Sequence, residues 1–338
     1  MELRALGRTG VQVSKLCLGT MMFGAWGNPD HDDSIRIIHR ALEAGVNFVD
    51  TADVYSAGES EEIVGKALKG RRDDVVLATK FWGPMGEDPN RGGVSRRWII
   101  AEVENSLRRL GTDWIDLYQM HRPDPETDID ETLGALTDLV QQGKVRYIGS
   151  SSFSAGEIVE AQWTAREQRR ERFRTEQPPY SLLVRGVELD VLPTAQRHGM
   201  GILTYSPLAG GWLSGSWSSD STPTSPARQR LAARFDMSLP ENQRKLHAVE
   251  QLASVAEDAG LSMIELAIAF VVNHPAVTSA IIGPRTMEQL ESQLPAADAT
   301  LDAPVLDRID EIIQAGVNLN PADTSYGEQV LHPTRRRR

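Results

Sequence analysis

Four side chains of different acid–base character close or follow β-rich apolar runs. Asp50 closes Asn47-Phe48-Val49, and Tyr55 follows five positions later. Lys80 closes Val75-Val76-Leu77-Ala78-Thr79, and His121 closes Ile115-Asp116-Leu117-Tyr118-Gln119-Met120. A phenol is a weak acid at neutral pH, with a reference pKa near ~10. A neighbouring ammonium favours the phenolate, and a hydrogen-bonded imidazole helps to pass the proton. Lys80 can supply that cation, and Asp50 can hold it charged and in place. Tyr55 then becomes a general acid for an oxygen on which negative charge develops. Carbonyl reduction has that requirement, because hydride reaches carbon while a proton reaches oxygen. None of the four side chains can deliver hydride, so this chemistry needs a nicotinamide cofactor.

Taken singly, each residue has a duller explanation: a turn cap, a surface aromatic, a snorkelling strand-end charge, a structural histidine. Their shared position at strand ends is what joins them. The runs that carry them are separated by helix-length amphipathic stretches, the pattern of parallel strands in repeated βα units. In an eight-stranded α/β barrel the chemistry sits at the carboxyl-terminal ends of the strands.

The pattern predicts a hairpin over Leu3–Val13, turning at Gly7-Arg8-Thr9-Gly10, and then eight βα units. Strands are expected at Leu16–Thr20, Asn47–Ala52, Val75–Lys80, Ile115–His121, Tyr147–Ser151, Thr175–Ser181, Ile202–Ser206 and Thr278–Gly283. Helices are expected from Asp33, over Ser60–Leu68, Ser95–Leu110 and Ile129–Gln142, from Ala155, and over Leu189–His198, Gln243–Ala259, Ser262–Asn273 and Thr286–Leu294. An extra helix, Asp302–Ala315, follows the eighth unit. The fold class is therefore α/β: a (β/α)8 TIM barrel with an N-terminal β-hairpin, extended βα loops and an added C-terminal helix. Residues 1–320 form one domain. Residues 321–338 are expected to be a flexible tail ending in the run Arg335-Arg336-Arg337-Arg338. The long inserts Phe81–Val94 and Trp212–Pro240 both leave the face that carries the site, and loops of this length are usually functional.

Composition narrows the classes further. The 338 residues carry 36 Lys and Arg against 47 Asp and Glu, a net charge of −11 that disfavours nucleic acid as a partner. No window approaches a transmembrane span and no signal segment opens the chain, so a cytoplasmic protein without a membrane partner is expected. The single cysteine, Cys17, excludes an intrachain disulfide and reads as a buried small hydrophobe. His121 is the only strand-end histidine, which argues against a metal centre on this barrel. Composition leaves a homo-oligomer open.

Three segments, Asp50-Thr-Ala-Asp-Val-Tyr55, Ala78-Thr79-Lys80 and Gln119-Met120-His121, resemble the catalytic segments of the aldo-keto reductase superfamily. Further landmarks resemble the same family in the same order. They are Gly7–Ser14, Leu18-Gly19-Thr20-Met21, Gly111–Leu117, Gly143–Gly149 and Tyr205-Ser206-Pro207-Leu208-Ala209-Gly210-Gly211. The resemblance spans about residues 3 to 315. It includes a branch close to channel-β-subunit-like members, so a cofactor-binding regulatory or redox-sensing protein of slow turnover is the alternative to an NADPH-dependent carbonyl reductase. The intact four-residue relay favours the enzyme.

No Gly-x-Gly-x-x-Gly follows a strand, so a Rossmann-type site is not indicated. The resemblance implies instead an extended NADPH or NADP+ across the barrel mouth. Gly19, Thr20, Met21 and Asp50 would line it at the first strands. Ser151, Ser152 and Gln177 would meet the nicotinamide carboxamide, with Ser152 standing where the family commonly has Asn. Tyr205 would stack on the ring, and Ser206, Pro207, Leu208 and Gly210 would lie at the pyrophosphate. The adenosine end would meet Gly283, Arg285, Gln289 and Gln293, with Arg285 pairing with a 2′-phosphate. Gln293 again departs from the Asn common among relatives. A small-molecule carbonyl substrate would be walled by Met22, Phe23, Trp26, Tyr55, Trp82 and His121. Arg122 is expected to pair with Asp124 or Asp128, the other option being a polar or acidic group of the substrate.

Overall fold

The computed structural model describes residues 1–219, 221 and 231–324. An antiparallel hairpin of β1 (Leu3–Ala5) and β2 (Gln12–Ser14) precedes the barrel. Eight parallel strands follow: β3 (Leu16–Gly19), β4 (Phe48–Asp50), β5 (Val76–Phe81), β6 (Ile115–Met120), β7 (Val145–Ser151), β8 (Thr175–Gln177), β9 (Gly201–Thr204) and β10 (Val277–Ile282). They close in chain order, β10 pairing with both β9 and β3. The helices are α1 (His31–Glu43), α2 (Glu59–Ala67), α3 (Arg96–Leu110), α4 (Ile129–Gln141), α5 (Ala155–Glu167), α6 (Val191–His198), α7 (Ala232–Phe235), α8 (Pro240–Asp258), α9 (Met263–Val272), α10 (Met287–Gln293) and α11 (Ala303–Ile312). The expected (β/α)8 barrel is therefore the fold.

Local chemistry accounts for the element ends. Ser95 accepts from Trp98 N–H to open α3, and Gly111 at φ 62° closes it. Ser154 with Glu157, and Ser262 with Glu265, form capping boxes at α5 and α9. α1 starts two residues before the expected Asp33, because the Asp30 carboxylate accepts from Asp33 N–H. β9 stops at Thr204, so Tyr205 and Ser206 belong to the loop rather than the strand.

The strand period of two sorts the side chains into layers. Outward residues such as Leu16, Leu18, Val49 and Leu77 join the core beneath the helices. Inward residues Cys17, Phe48, Ala78, Leu117, Leu203 and Ile281 form a separate apolar cluster with Leu6 and Val13 of the hairpin region. Two residues further along the same strands come Asp50, Lys80 and Gln119. The barrel is thus apolar at the hairpin end and polar one layer higher.

The first residues of the expected tail are packed instead of loose. Asn320 donates to Ala233 O at 2.8 Å, and the Arg234 Nε–H donates to Ala322 O at 2.6 Å. The Lys245 ammonium lies 2.7 Å from the Asp323 carboxylate. The terminal Arg run, and residues 220 and 222–230 of the long insert after β9, lie outside the described residues. Within the described residues no helix is long and apolar enough to cross a membrane.

Candidate active site

The barrel brings Asp50, Tyr55, Lys80 and His121 to one place. The Lys80 ammonium is completely buried. It forms an ion pair with Asp50, donates to Thr51 O at 2.9 Å, and donates to the Tyr55 hydroxyl at 3.2 Å. The second Asp50 oxygen accepts from Gln119 Nε2 and Gln177 Nε2, each at 3.0 Å. The buried carboxylate is therefore held by a cation on one oxygen and two amides on the other. The Tyr55 and His121 rings meet edge to face with centroids 5.8 Å apart.

Burial penalises every charge here, and the outcome depends on the partners. At Lys80, burial pulls the pKa down, but the Asp50 charge and the bonds to Asp50 and Tyr55 outweigh it and leave the ammonium above its ordinary range. At Tyr55, burial raises the pKa, and the opposing charges of Lys80 and Arg122 recover only part of that shift. The phenol is therefore protonated at neutral pH. This differs from the expectation that Lys80 would favour a phenolate, because desolvation of the ring oxygen is the larger effect. Burial first, then Lys80 and Arg122, push His121 well below the usual imidazole range. Its ring is neutral at pH 7, and its buried Nδ1 has no partner among the described residues.

Sequence reasoning missed Gln119, although the signal was available. It lies two residues before His121, so strand alternation points both into the barrel. Gln177 was expected at the nicotinamide, yet both its described amide bonds go to Asp50 and to Gln119 Oε1. Arg122 departs from expectation as well. Asp124 accepts from Glu126 N–H and the Thr127 hydroxyl, and Asp128 caps α4 by accepting from Asp130 N–H. Arg122 Nη1 donates instead to His121 O and to Ser152 Oγ, both at 2.9 Å.

The remaining residues fall in separate groups around the mouth. Ser151 is buried and donates to Gln177 O at 2.9 Å. The Ser152 hydroxyl is 3.3 Å from that of Tyr205. Gly19 ends β3, and Thr20 just after it donates its N–H to Asp50 O at 3.0 Å. The Ser206–Gly210 turn follows β9, and Gly283, Arg285 and Gln289 follow β10. Gln289 Oε1 accepts from Arg285 N–H at 2.8 Å, leaving the Arg285 side chain exposed. Buried Gln293 Oε1 lacks a partner among the described residues.

Around Tyr55, Trp26 is half exposed with its ring centroid 6.1 Å away, Trp82 and Met22 are half-buried, and Met21 points to solvent. Phe23 is completely buried in the core beneath the helices, so it backs the wall instead of facing a substrate. Backbone strain is concentrated on this face. Ser56 (φ 49°), Ala57 (φ 55°), Trp82 (φ 152°), Ser152 (φ 60°), Ser206 (φ 58°) and Ala209 (φ 50°) all follow barrel strands. Each such residue costs on the order of 1–3 kcal/mol, and strain of this kind gathers at functional sites.

Comparison with known proteins identifies the family. Residues 15–314 match the model of the Aldo/keto reductase family. The chain is 42% identical to the uncharacterized oxidoreductase YrpG of Bacillus subtilis, covering 92% of this chain and 96% of that protein. It is 36% identical to a probable voltage-gated potassium channel subunit beta of Arabidopsis thaliana, over 93% and 97% of the two chains. It is 34% identical to the versiconal hemiacetal acetate reductase of Aspergillus parasiticus, over 99% and 100%. The chain therefore belongs to the aldo/keto reductase family of oxidoreductases.

Proposed function

We propose that the protein reduces aldehydes and ketones to alcohols with NADPH, Tyr55 giving the proton. The observation that carries this reading is the buried ammonium of Lys80, bonded at once to Asp50, Thr51 O and the Tyr55 hydroxyl. Bound NADPH supplies the hydride. The Tyr55 phenol is protonated before reaction, as a general acid must be. As its proton moves to the substrate oxygen, the negative charge left on the phenol oxygen faces the Lys80 N–H that already points at it. Asp50, held by Gln119 and Gln177, keeps Lys80 charged. The neutral His121 ring can donate a hydrogen bond to the substrate oxygen without competing as the acid.

The residues around the mouth suit an extended dinucleotide. Ser151 and Ser152 would meet the carboxamide with the Gln177 Oε1 that its Nε2 bonds leave over, and Tyr205 would stack on the ring. Ser206, Leu208 and Gly210 would present backbone N–H groups to the pyrophosphate, Gly210 at φ 67°. Gln293 Oε1, without a partner among the described residues, is suited to an adenine amine, and the exposed Arg285 guanidinium to a 2′-phosphate. Arg285 is the reason for choosing NADPH over NADH.

The test follows NADPH oxidation by absorbance against a panel of aromatic and aliphatic aldehydes, with Tyr55→Phe as control. Tyr55→Phe should lower kcat by about 10²–10⁴-fold while NADPH still quenches the protein fluorescence at nearly the same concentration. Unchanged kcat would remove Tyr55 as the acid. NADPH binding without turnover of any carbonyl would point to a cofactor-sensing protein.

A further inference from the structure

Arg122 follows directly after His121 and is half-buried at the barrel mouth. Its Nη1 is fixed by two acceptors, His121 O and Ser152 Oγ, both at 2.9 Å. Its guanidinium carbon lies 5.9 Å from the centroid of the Tyr205 ring. Of the carboxylates that follow in sequence, Asp124 is committed to its own loop, Asp128 to the start of α4, and Glu126 is exposed. No carboxylate within ion-pair distance of Arg122 exists among the described residues. A guanidinium has five N–H donors in a planar fork. With Nη1 occupied, the Nε and Nη2 edge keeps three N–H groups that have no acceptor among the described residues.

A half-buried cation is costly to leave uncompensated, and the side-on Nε/Nη2 edge matches the two oxygens of a carboxylate. This one is held rigidly on its far side, so little side-chain freedom is lost when an anion docks. It is bonded to the backbone of His121, whose ring meets that of Tyr55 edge to face, which puts it at the mouth of the same site.

We propose that Arg122, anchored by Ser152, is the subsite for a carboxylate on the substrate, so that the preferred substrates are carboxylated aldehydes or ketones. This rests on the reductase reading and narrows it to a substrate class. The other half of the pocket, Trp26 and Trp82, would take the apolar body between carbonyl and carboxylate.

The experiment measures kcat/KM at saturating NADPH for 4-carboxybenzaldehyde and 4-methylbenzaldehyde, which share a body and differ in charge. It uses the wild type, Arg122→Met and Arg122→Lys, with benzoate as a competing anion. The expected result is a wild-type preference for the carboxylated aldehyde. Arg122→Met should lower that preference by about ten- to a hundredfold and abolish competitive inhibition by benzoate, the range expected for losing a charge-assisted bidentate contact. Arg122→Lys, with charge but no fork, should fall between. Turnover of both aldehydes with no preference, or equal losses for both in Arg122→Met, would overturn the subsite and leave the reductase reading standing. Should Arg122→Met not fold, the absence of benzoate inhibition in the wild type would overturn the subsite alone. Turnover of neither aldehyde by the wild type would sink the reductase reading and the subsite with it.

Discussion

Lys80 and Lys245 are both completely buried, one inside the barrel and the other between α8 and the segment that follows β9. Lys80 meets a carboxylate that two amides already hold, a backbone carbonyl and a phenol. Lys245 meets the Asp323 carboxylate at 2.7 Å, the Arg234 carbonyl at 3.0 Å, and the face of Trp212 at 4.3 Å. Trp212 is stacked on Trp217 at 3.8 Å, which walls that ammonium with aromatic surface. The outcomes have opposite sign. At Lys80 the opposing charge outweighs burial and the ammonium is stabilised. At Lys245 burial outweighs Asp323 and the pKa is lowered, while burial likewise raises Asp323. Charge is enforced in the first place and only tolerated in the second. A buried charge is held where its counter-ion is itself held in place, as Asp50 is by Gln119 and Gln177.

Replacement by methionine should separate the two lysines. Lys80→Met removes the cation that faces the phenol oxygen as its proton leaves, and it should lower kcat by about 10³-fold or more. Measured kcat within tenfold of wild type would mean that Lys80 does not support the acid. In Lys245→Met, kcat should stay within a few-fold, since no described contact joins Lys245 to the relay. The cost should appear in stability instead. Asp323 is left buried without its cation, which typically costs about 3–5 kcal/mol. Lys245→Met with Asp323→Leu should recover most of that loss, because apolar replacement of a whole buried pair is often neutral or better. Denaturant melts of the single and double variants check this. A double variant no more stable than the single one would show the pair to be favourable, and the contrast with Lys80 would collapse.

The two sites also differ in how readable they are. The Lys80 site follows from strand alternation: Asp50, Lys80 and His121 end apolar runs, and the period of two turns them inward above an apolar layer. The hairpin, the eight strands and the helix caps follow from equally local signals. Arg122 was misplaced because Asp124 and Asp128 are its sequence neighbours, whereas its actual acceptor, Ser152, arrives on a different strand-to-helix loop. Phe23 was misplaced because a loop phenylalanine reads the same whether it faces a pocket or the core. Lys245 gave no signal at all. Its partners come from a Ser- and Pro-rich insert and from the far end of the chain, where neither period nor motif links them.

A third buried ionisable group sharpens the rule. Glu176, on β8, is completely buried and has no cation against it among the described residues. Its carboxyl accepts from the Ser150 hydroxyl and from Phe153 N–H at 3.0 Å. Burial exceeds what those hydrogen bonds return, and its pKa is pushed up to about 8. Between the unfolded value near ~4.5 and about 8, the folded state binds a proton that the unfolded state has released. The stability contributed by this group is therefore complete below pH ~4.5 and is lost as pH rises through 8, a change on the order of 5 kcal/mol. Glu176→Gln keeps the hydrogen-bonding shape without the titration. Melting temperature measured from pH 5 to pH 9 should fall more steeply for the wild type than for Glu176→Gln, with the curves separating most above pH 8. Parallel curves would mean that Glu176 stays ionised in the folded protein, and that a buried carboxylate here needs no cation to hold its charge.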